Sequence, residues 1–182
     1  GDDLVDLELQ YIQRIIDKIK SDTESELTKA PELHLWQNVY DITKKGRRIG
    51  CGITGMADML AAIGVKYDSE DALTVIGEVM RVKMCAELNA SIDLAVKYGP
   101  FDGYDSTKEF SMGEHGPVAG NNRFYQFLLE EFPEEVERMC QYGRRNVNWN
   151  TIAPTGTISI VAKAIDNPNM SSGCEPQFGL FH

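Results

Sequence analysis

The sequence predicts a helix-rich α/β chain. Two patterns carry that expectation. Apolar residues recur at helical steps through most of the chain. One run, "NVNWNTIA" at 146–153, alternates with the period of a strand and breaks at "PTGT". The totals suit a folded domain: 182 residues, 42% apolar and 25% charged, are enough for one sizeable core.

The elements follow in order. Val5, Leu9, Ile12, Ile16 and Ile19 alternate steps of four and three, with Asp, Glu, Gln and Lys between them, so a first amphipathic helix ends within 21–25. A second helix is expected over 31–44, with Pro31 in its first turn and Leu35, Val39 and Ile42 on one face. "KKGRR" then breaks the pattern. A third helix carries Met56, Met59, Leu60 and Ile63 and ends at Gly64 as a C-cap. The longest helix starts at "YDSEDAL", capped by Asp68 or Ser69. Its stripe is Leu73, Ile76, Met80, Met84, Leu88, Ile92 and Ala95, and Gly99-Pro100 stops it. Its methionines read as core filler. Residues 101–120 read as a surface loop, and a helix pair follows at 122–132 and 133–142. After the strand and its turn, "ISIVAKAI" suits a helix or a strand.

Lys and Arg total 18 against 28 Asp and Glu, a net charge of −10. Such a field repels nucleic acid and anionic membrane, so neither is an expected partner. Cys51, Cys85, Cys140 and Cys174 contain no C-x-x-C pair, and His34, His115 and His182 are scattered, so no metal site is expected. There is no charged-then-apolar leader and no apolar run of spanning length. The expected setting is the reducing cytoplasm, with four free thiols. The Asn89 and Asn169 sequons are therefore discounted. Both ends look cut, which suggests a piece of a larger protein or one half of a split one.

Two turns invite a binding role. "GCGITG" at 50–55 has the G-x-G-x-x-G spacing of a dinucleotide turn. A helix follows it, but "DITKKGRRI" before it is basic and broken rather than a hydrophobic strand. Glycines that admit close backbone packing at the head of a helix are the simpler explanation. For Arg47 and Arg48, surface pairing with the acidic surplus is the default, with phosphate contact as the alternative. "APTGTIS" at 153–159 is the better chemical candidate. A strand feeding a turn exposes main-chain N–H groups to an anion; Thr155, Thr157 and Ser159 add hydroxyls, and Gly156 permits close approach. Nothing basic lies in it. A plain Pro-Thr-Gly turn in a non-catalytic helical interaction module is the alternative.

Three stretches, "RRIGCGITGMADMLAAIGVKYDSEDAL", "GRRNVNWNTIAPTGTISIVA" and "SSGCEPQFGLF", resemble successive motifs of the ribonucleotide reductase catalytic chain, in the same order. "SIDLAVKYGPF" fits the same pattern. "APTGTIS" followed by "SSG-x-EP-x-F" is more similar to the adenosylcobalamin-dependent class II than to the di-iron class. The resemblance implies that residues 1–182 are a helix-rich fragment of a ten-stranded α/β barrel made of two five-stranded halves, with few strands in this segment. It implies substrate phosphate binding by Pro154, Thr155, Gly156, Thr157, Ile158 and Ser159, with Asn150, Cys174, Glu175 and Pro176 as active-site neighbours. It makes the glycines at 50–55 a helix-packing segment and excludes a dinucleotide there. "KAIDNPNM" looks longer than the family's usual link and marks 163–171 as a loop insertion.

The resemblance also implies what lies elsewhere. The radical cysteine on its finger loop, with assisting Asn and Glu residues, precedes this segment; the reducing tail follows it; allosteric sites are outside. No catalytic residue is therefore expected here, and the four cysteines are read as structural. Cys174, beside Glu175-Pro176, is the one nearest the expected active site. The implied activity is reduction of ribonucleoside di- or triphosphates to 2'-deoxyribonucleotides for DNA replication. The implied cofactor is adenosylcobalamin, with a di-iron partner subunit as the alternative. The implied partners are the ribonucleotide, the rest of the catalytic chain, a thiol reductant such as thioredoxin, and a second copy in a homodimer.

Overall fold

The computed structural model describes residues 1–158 and Cys174. The chain divides into two compact units, one of Gly1–Gly50 with Cys85–Trp149, the other of Cys51–Met84 with Asn150–His182. Expectations for Ser159, the 163–171 link, Glu175, Pro176, His182 and most of "ISIVAKAI" lie outside the described residues.

The first unit opens with α1 (Asp2–Ser21) and α2 (Glu26–Gly46), which pack on each other. Asp2 and Asp3 in the first turn of α1, and Lys18 and Lys20 in its last, suit the helix dipole. Val5, Ile12, Ile16 and Ile19 are buried, as the stripe predicts. α2 departs from expectation twice. It starts five residues before Pro31, because Ser25 adopts an extended N-cap and its carbonyl accepts from Thr28 and Lys29. Pro31 thus sits inside the helix, past the first turn whose N–H groups have no intrahelical acceptor. Its inner face is also rotated: Leu33, Trp36, Val39 and Tyr40 are half-buried, whereas Leu35 and Ile42 are 58% and 59% exposed.

α4 (Glu70–Tyr98) contributes its second half to this unit. Leu88, Ile92 and Ala95 are buried there, and Gly99, with φ +84, ends the helix. Residues 101–120 are more ordered than a plain loop. They hold the helical turn α5 (Ser106–Glu109), capped by Asp105, and the hairpin β1 (Phe110–Gly113) with β2 (Gly116–Ala119). The strands are antiparallel, with Phe110 opposite Ala119 and Gly113 opposite Gly116. Phe110 is buried against Tyr125, ring centroids 5.2 Å apart, and Phe101 is buried as well. Phe110 gives a short Gly-bounded hairpin a hydrophobic anchor that its composition hides. α6 (Arg123–Glu131), capped by the Asn122 side chain, and α7 (Pro133–Tyr142), with proline at its start, fall where expected.

Arg47 corrects the sequence reading. It is 5% exposed, not a surface pairing. It donates to Asp2 Oδ1 and Asp6 Oδ1, each at 2.8 Å. Arg145 and Asn146 also donate to Asp2, and Asn146 accepts from the Ser91 hydroxyl. Burial pushes the Asp2 pKa up, but the hydrogen bonds from Arg47, Arg145 and Asn146 outweigh it and hold the carboxyl below its usual range. A second buried cation, Arg144, makes a two-pronged pair with Glu109. Its guanidinium lies 5.4, 5.5 and 5.2 Å from the rings of Phe101, Tyr104 and Trp149.

The expected strand at 146–153 does not form: the chain bends at Val147. In the first unit Val147 N–H donates to the Gly46 carbonyl (3.0 Å) and Ile49 N–H to Asn148 (3.2 Å). The stretch before the glycines is thus paired with it, although its basic composition predicts no strand.

Candidate functional site

The second unit collects the two turns singled out by the sequence. Cys51 and Asn150 form a parallel bridge, and the Cys51 carbonyl accepts the Thr151 N–H at 3.2 Å. From that bridge one segment leads through 52–55 into α3 (Met56–Ala62), whose Ala57 and Leu60 are buried. The other leads through Ile152 and Ala153 into the 154–158 turn. The first half of α4 completes the described part of the unit. Ser69 caps it: its hydroxyl oxygen accepts from Ala72 N–H at 3.2 Å, and Ala72 is buried. Leu73, expected in the core stripe, is exposed.

The glycines at 50–55 divide their work. Gly55, φ +75, is the N-cap of α3, a left-handed position that glycine takes without strain. Gly52 is not a close-approach glycine: a Cβ there would meet Thr151 Cγ2 at 3.6 Å, an ordinary contact.

At 153–158 the chain stays open to solvent. Pro154, Gly156, Thr157 and Ile158 are exposed, and Thr155 is half-buried. Thr155 itself, not the glycine beside it, holds the left-handed conformation, φ +58. A β-branched residue there is a genuine outlier. Residues 156–158 are helical. A left-handed residue followed directly by helical ones turns successive N–H groups toward one concave side, the geometry of an anion nest. The Thr155 hydroxyl donates to the Pro154 carbonyl at 2.8 Å.

Cys174 belongs to the same cluster. Its thiol donates to the Ile53 carbonyl (3.3 Å) and lies 3.9 Å from the Thr155 hydroxyl, and its carbonyl accepts the Ala57 N–H at 3.2 Å. Parts of all three sequence motifs therefore meet: 51–57, 150–158 and Cys174. Sequence reasoning missed one participant. The Lys83 ammonium, on α4, donates to the Cys51 carbonyl at 2.8 Å. The two residues are 32 apart in sequence, and nothing near either of them signals the contact.

All four cysteines are free thiols. Burial, with Glu109 and Glu137 nearby, pushes the Cys140 thiol up, away from thiolate chemistry. Among the described residues no three His, Cys, Asp or Glu side chains converge on a metal-sized point, and no helix is long and apolar enough to cross a membrane.

Residues 9–182 match the family model of the ribonucleotide reductase barrel domain. The chain belongs to that family. It is similar to a vitamin B12-dependent ribonucleoside-diphosphate reductase of Mycobacterium tuberculosis (strain ATCC 25618 / H37Rv), 31% identical over 134 residues covering 74% of this chain and 14% of that protein. An enzyme of the same description from Thermoplasma acidophilum is 31% identical over 144 residues, 79% of this chain and 14% of that protein. A ribonucleoside-diphosphate reductase large chain of Cryptosporidium parvum is 38% identical over 119 residues, 62% of this chain and 14% of that protein. The chain thus corresponds to 14% of the length of these relatives and is a partial segment of a ribonucleotide reductase large chain, similar to the B12-dependent class. Its described residues are helix-rich, with one two-stranded sheet.

Proposed function

We propose that this segment belongs to a catalytic chain that reduces ribonucleotides to 2'-deoxyribonucleotides by radical chemistry, and that its 154–159 turn grips the substrate phosphates. One observation carries the reading: left-handed Thr155 runs straight into the helical residues 156–158, in an exposed turn. The gripping groups are neutral main-chain donors held in place by the fold, so they attract an anion despite the net charge of −10. Holding the phosphates fixes the ribose at reaction distance from a radical formed elsewhere in the complete chain, which turns an encounter into a positioned event. Asn150 and Cys174 flank the turn; Glu175 and Pro176 follow Cys174 in sequence and are proposed as further neighbours. No residue of this segment is assigned a bond-breaking role, and the segment alone is expected to be inactive.

The names of the relatives favour a ribonucleoside diphosphate as substrate and adenosylcobalamin as the radical source. Two clefts among the described residues, about 390 and 510 Å³, are small beside a corrin. One mixes Lys18, Asp22, Glu24 and Glu32 with Ile19, Leu35 and Trp36; the other is lined by Lys45, Asp102, Asp105 and Lys108. The cofactor is assigned mainly to other parts of the complete chain. A thioredoxin-type reductant, a homodimer and a cytoplasmic setting complete the proposal.

The test is Gly156→Val in the complete enzyme. A side chain at that point crowds the anion, and the KM for the ribonucleotide should rise about tenfold, the equivalent of ~1.4 kcal/mol or one to two weakened hydrogen bonds. An unchanged KM sinks the phosphate assignment and leaves an ordinary turn.

A further inference from the structure

The Cys51 carbonyl receives two donors, the Thr151 N–H at 3.2 Å and the Lys83 ammonium at 2.8 Å. A carbonyl oxygen has two lone pairs, so both bonds form together. The lysine bond carries a full charge and is the stronger kind, roughly twice a neutral one. Lys83 is half-buried, so its methylene stem is also held.

This matters because of what the carbonyl supports. The pairing of 51 with 150 is an isolated bridge, a single rung and not a strand. It is the last rung between the two segments before the turn. Three residues beyond Thr151 the chain enters the 154–158 turn. Neutral main-chain donors work only when aimed, and a displacement near 1 Å is costly. A tether from a 29-residue helix supplies the stiffness that one rung lacks.

We propose that Lys83 is a positioning residue for the phosphate turn: by holding the Cys51 carbonyl that also receives the Thr151 N–H, it sets where the 150–158 segment delivers its donors. The proposal rests on the phosphate reading of that turn. It assigns Lys83 no contact with substrate.

The test uses the complete enzyme with Lys83→Met and Lys83→Arg, and cytidine diphosphate and cytidine as probes. Met keeps the stem and removes the charge. Lys83→Met should weaken cytidine diphosphate binding about tenfold and leave cytidine within about twofold. Lys83→Arg should restore most of the diphosphate affinity, since it can still donate to the carbonyl. Diphosphate binding within twofold of the parent in Lys83→Met overturns the proposal, as does equal weakening of cytidine, or an Arg variant no better than Met. Gly156→Val separates the two levels. If it weakens diphosphate binding and Lys83→Met does not, only the lysine role fails. If Gly156→Val also leaves binding intact, the phosphate reading itself has failed.

Discussion

Replacing Gly143 with alanine should destabilise the first unit severely, for two separable reasons. Gly143 has φ +76 and ψ −172, an essentially glycine-only conformation that costs an L-residue about 1–3 kcal/mol. An added Cβ would also sit 2.6 Å from Pro100 Cβ and 3.0 Å from Tyr104 Cδ1. Neither neighbour yields easily. The first is part of a closed ring, and the second belongs to a tyrosine whose hydroxyl donates to the Met139 carbonyl at 2.6 Å. Overpacking of this kind costs about 1–3 kcal/mol. Together the penalties reach about 2–6 kcal/mol, close to the whole stability of a marginal domain. Urea unfolding followed by tryptophan fluorescence reads the effect, because Trp36 and the buried Trp149 both lie in this unit. With a slope of about 1–3 kcal/mol per molar urea, the midpoint should fall by about 1 M or more. Gly143→Asn should do no better than alanine, because ψ −172 puts this residue outside the left-handed helical region that asparagine tolerates. A midpoint within about 0.2 M of the parent for Gly143→Ala would refute the steric argument.

Two further outcomes follow from the buried charges. The Asp2 carboxyl has a folded pKa below its unfolded one, so its stabilisation is full above about pH 4 and is lost as pH falls through the folded value. Asp2→Asn should cost about 3–5 kcal/mol at neutral pH, because Arg47 and Arg145 are left without their shared anion, and it should flatten the acid limb of a stability-against-pH curve; an unchanged acid limb counts against the network. Arg144→Lys should cost about 2 kcal/mol or more in urea unfolding, since an ammonium cannot both fork onto Glu109 and stack among Phe101, Tyr104 and Trp149; a loss below about 0.5 kcal/mol would mean the stacking contributes little.

Local signals were read well where the information is local. The α1 stripe, the Ser69 cap, the proline start of α7 and the glycine stop at Gly99 each depend on residues within a turn of one another. α2 was misread because Leu35 and Ile42 look as apolar as Leu33 and Trp36, and only the packed partner, α1, decides which side is inward. Arg47 was misread because a buried arginine needs acceptors from far away, here Asp2 and Asp6. The hairpin at 110–119 was hidden because four-residue strands show too little alternation, and Phe110 is explained only by Tyr125. At the candidate site, "APTGTIS" was legible as a turn, but the left-handed residue in it is Thr155 and not Gly156.

The sequence by itself determined the family, the order of helices, the free thiols and the place of the turn, because motifs, periodicity and capping are short-range properties written in neighbouring residues. Only the tertiary structure decided which charges are buried, which faces of α2 and α4 turn inward, and that the Cys51 carbonyl joins Lys83 to Thr151. Those outcomes depend on groups tens of residues apart finding the same few ångströms, and hydrogen bonds of that reach leave no periodic trace in the chain.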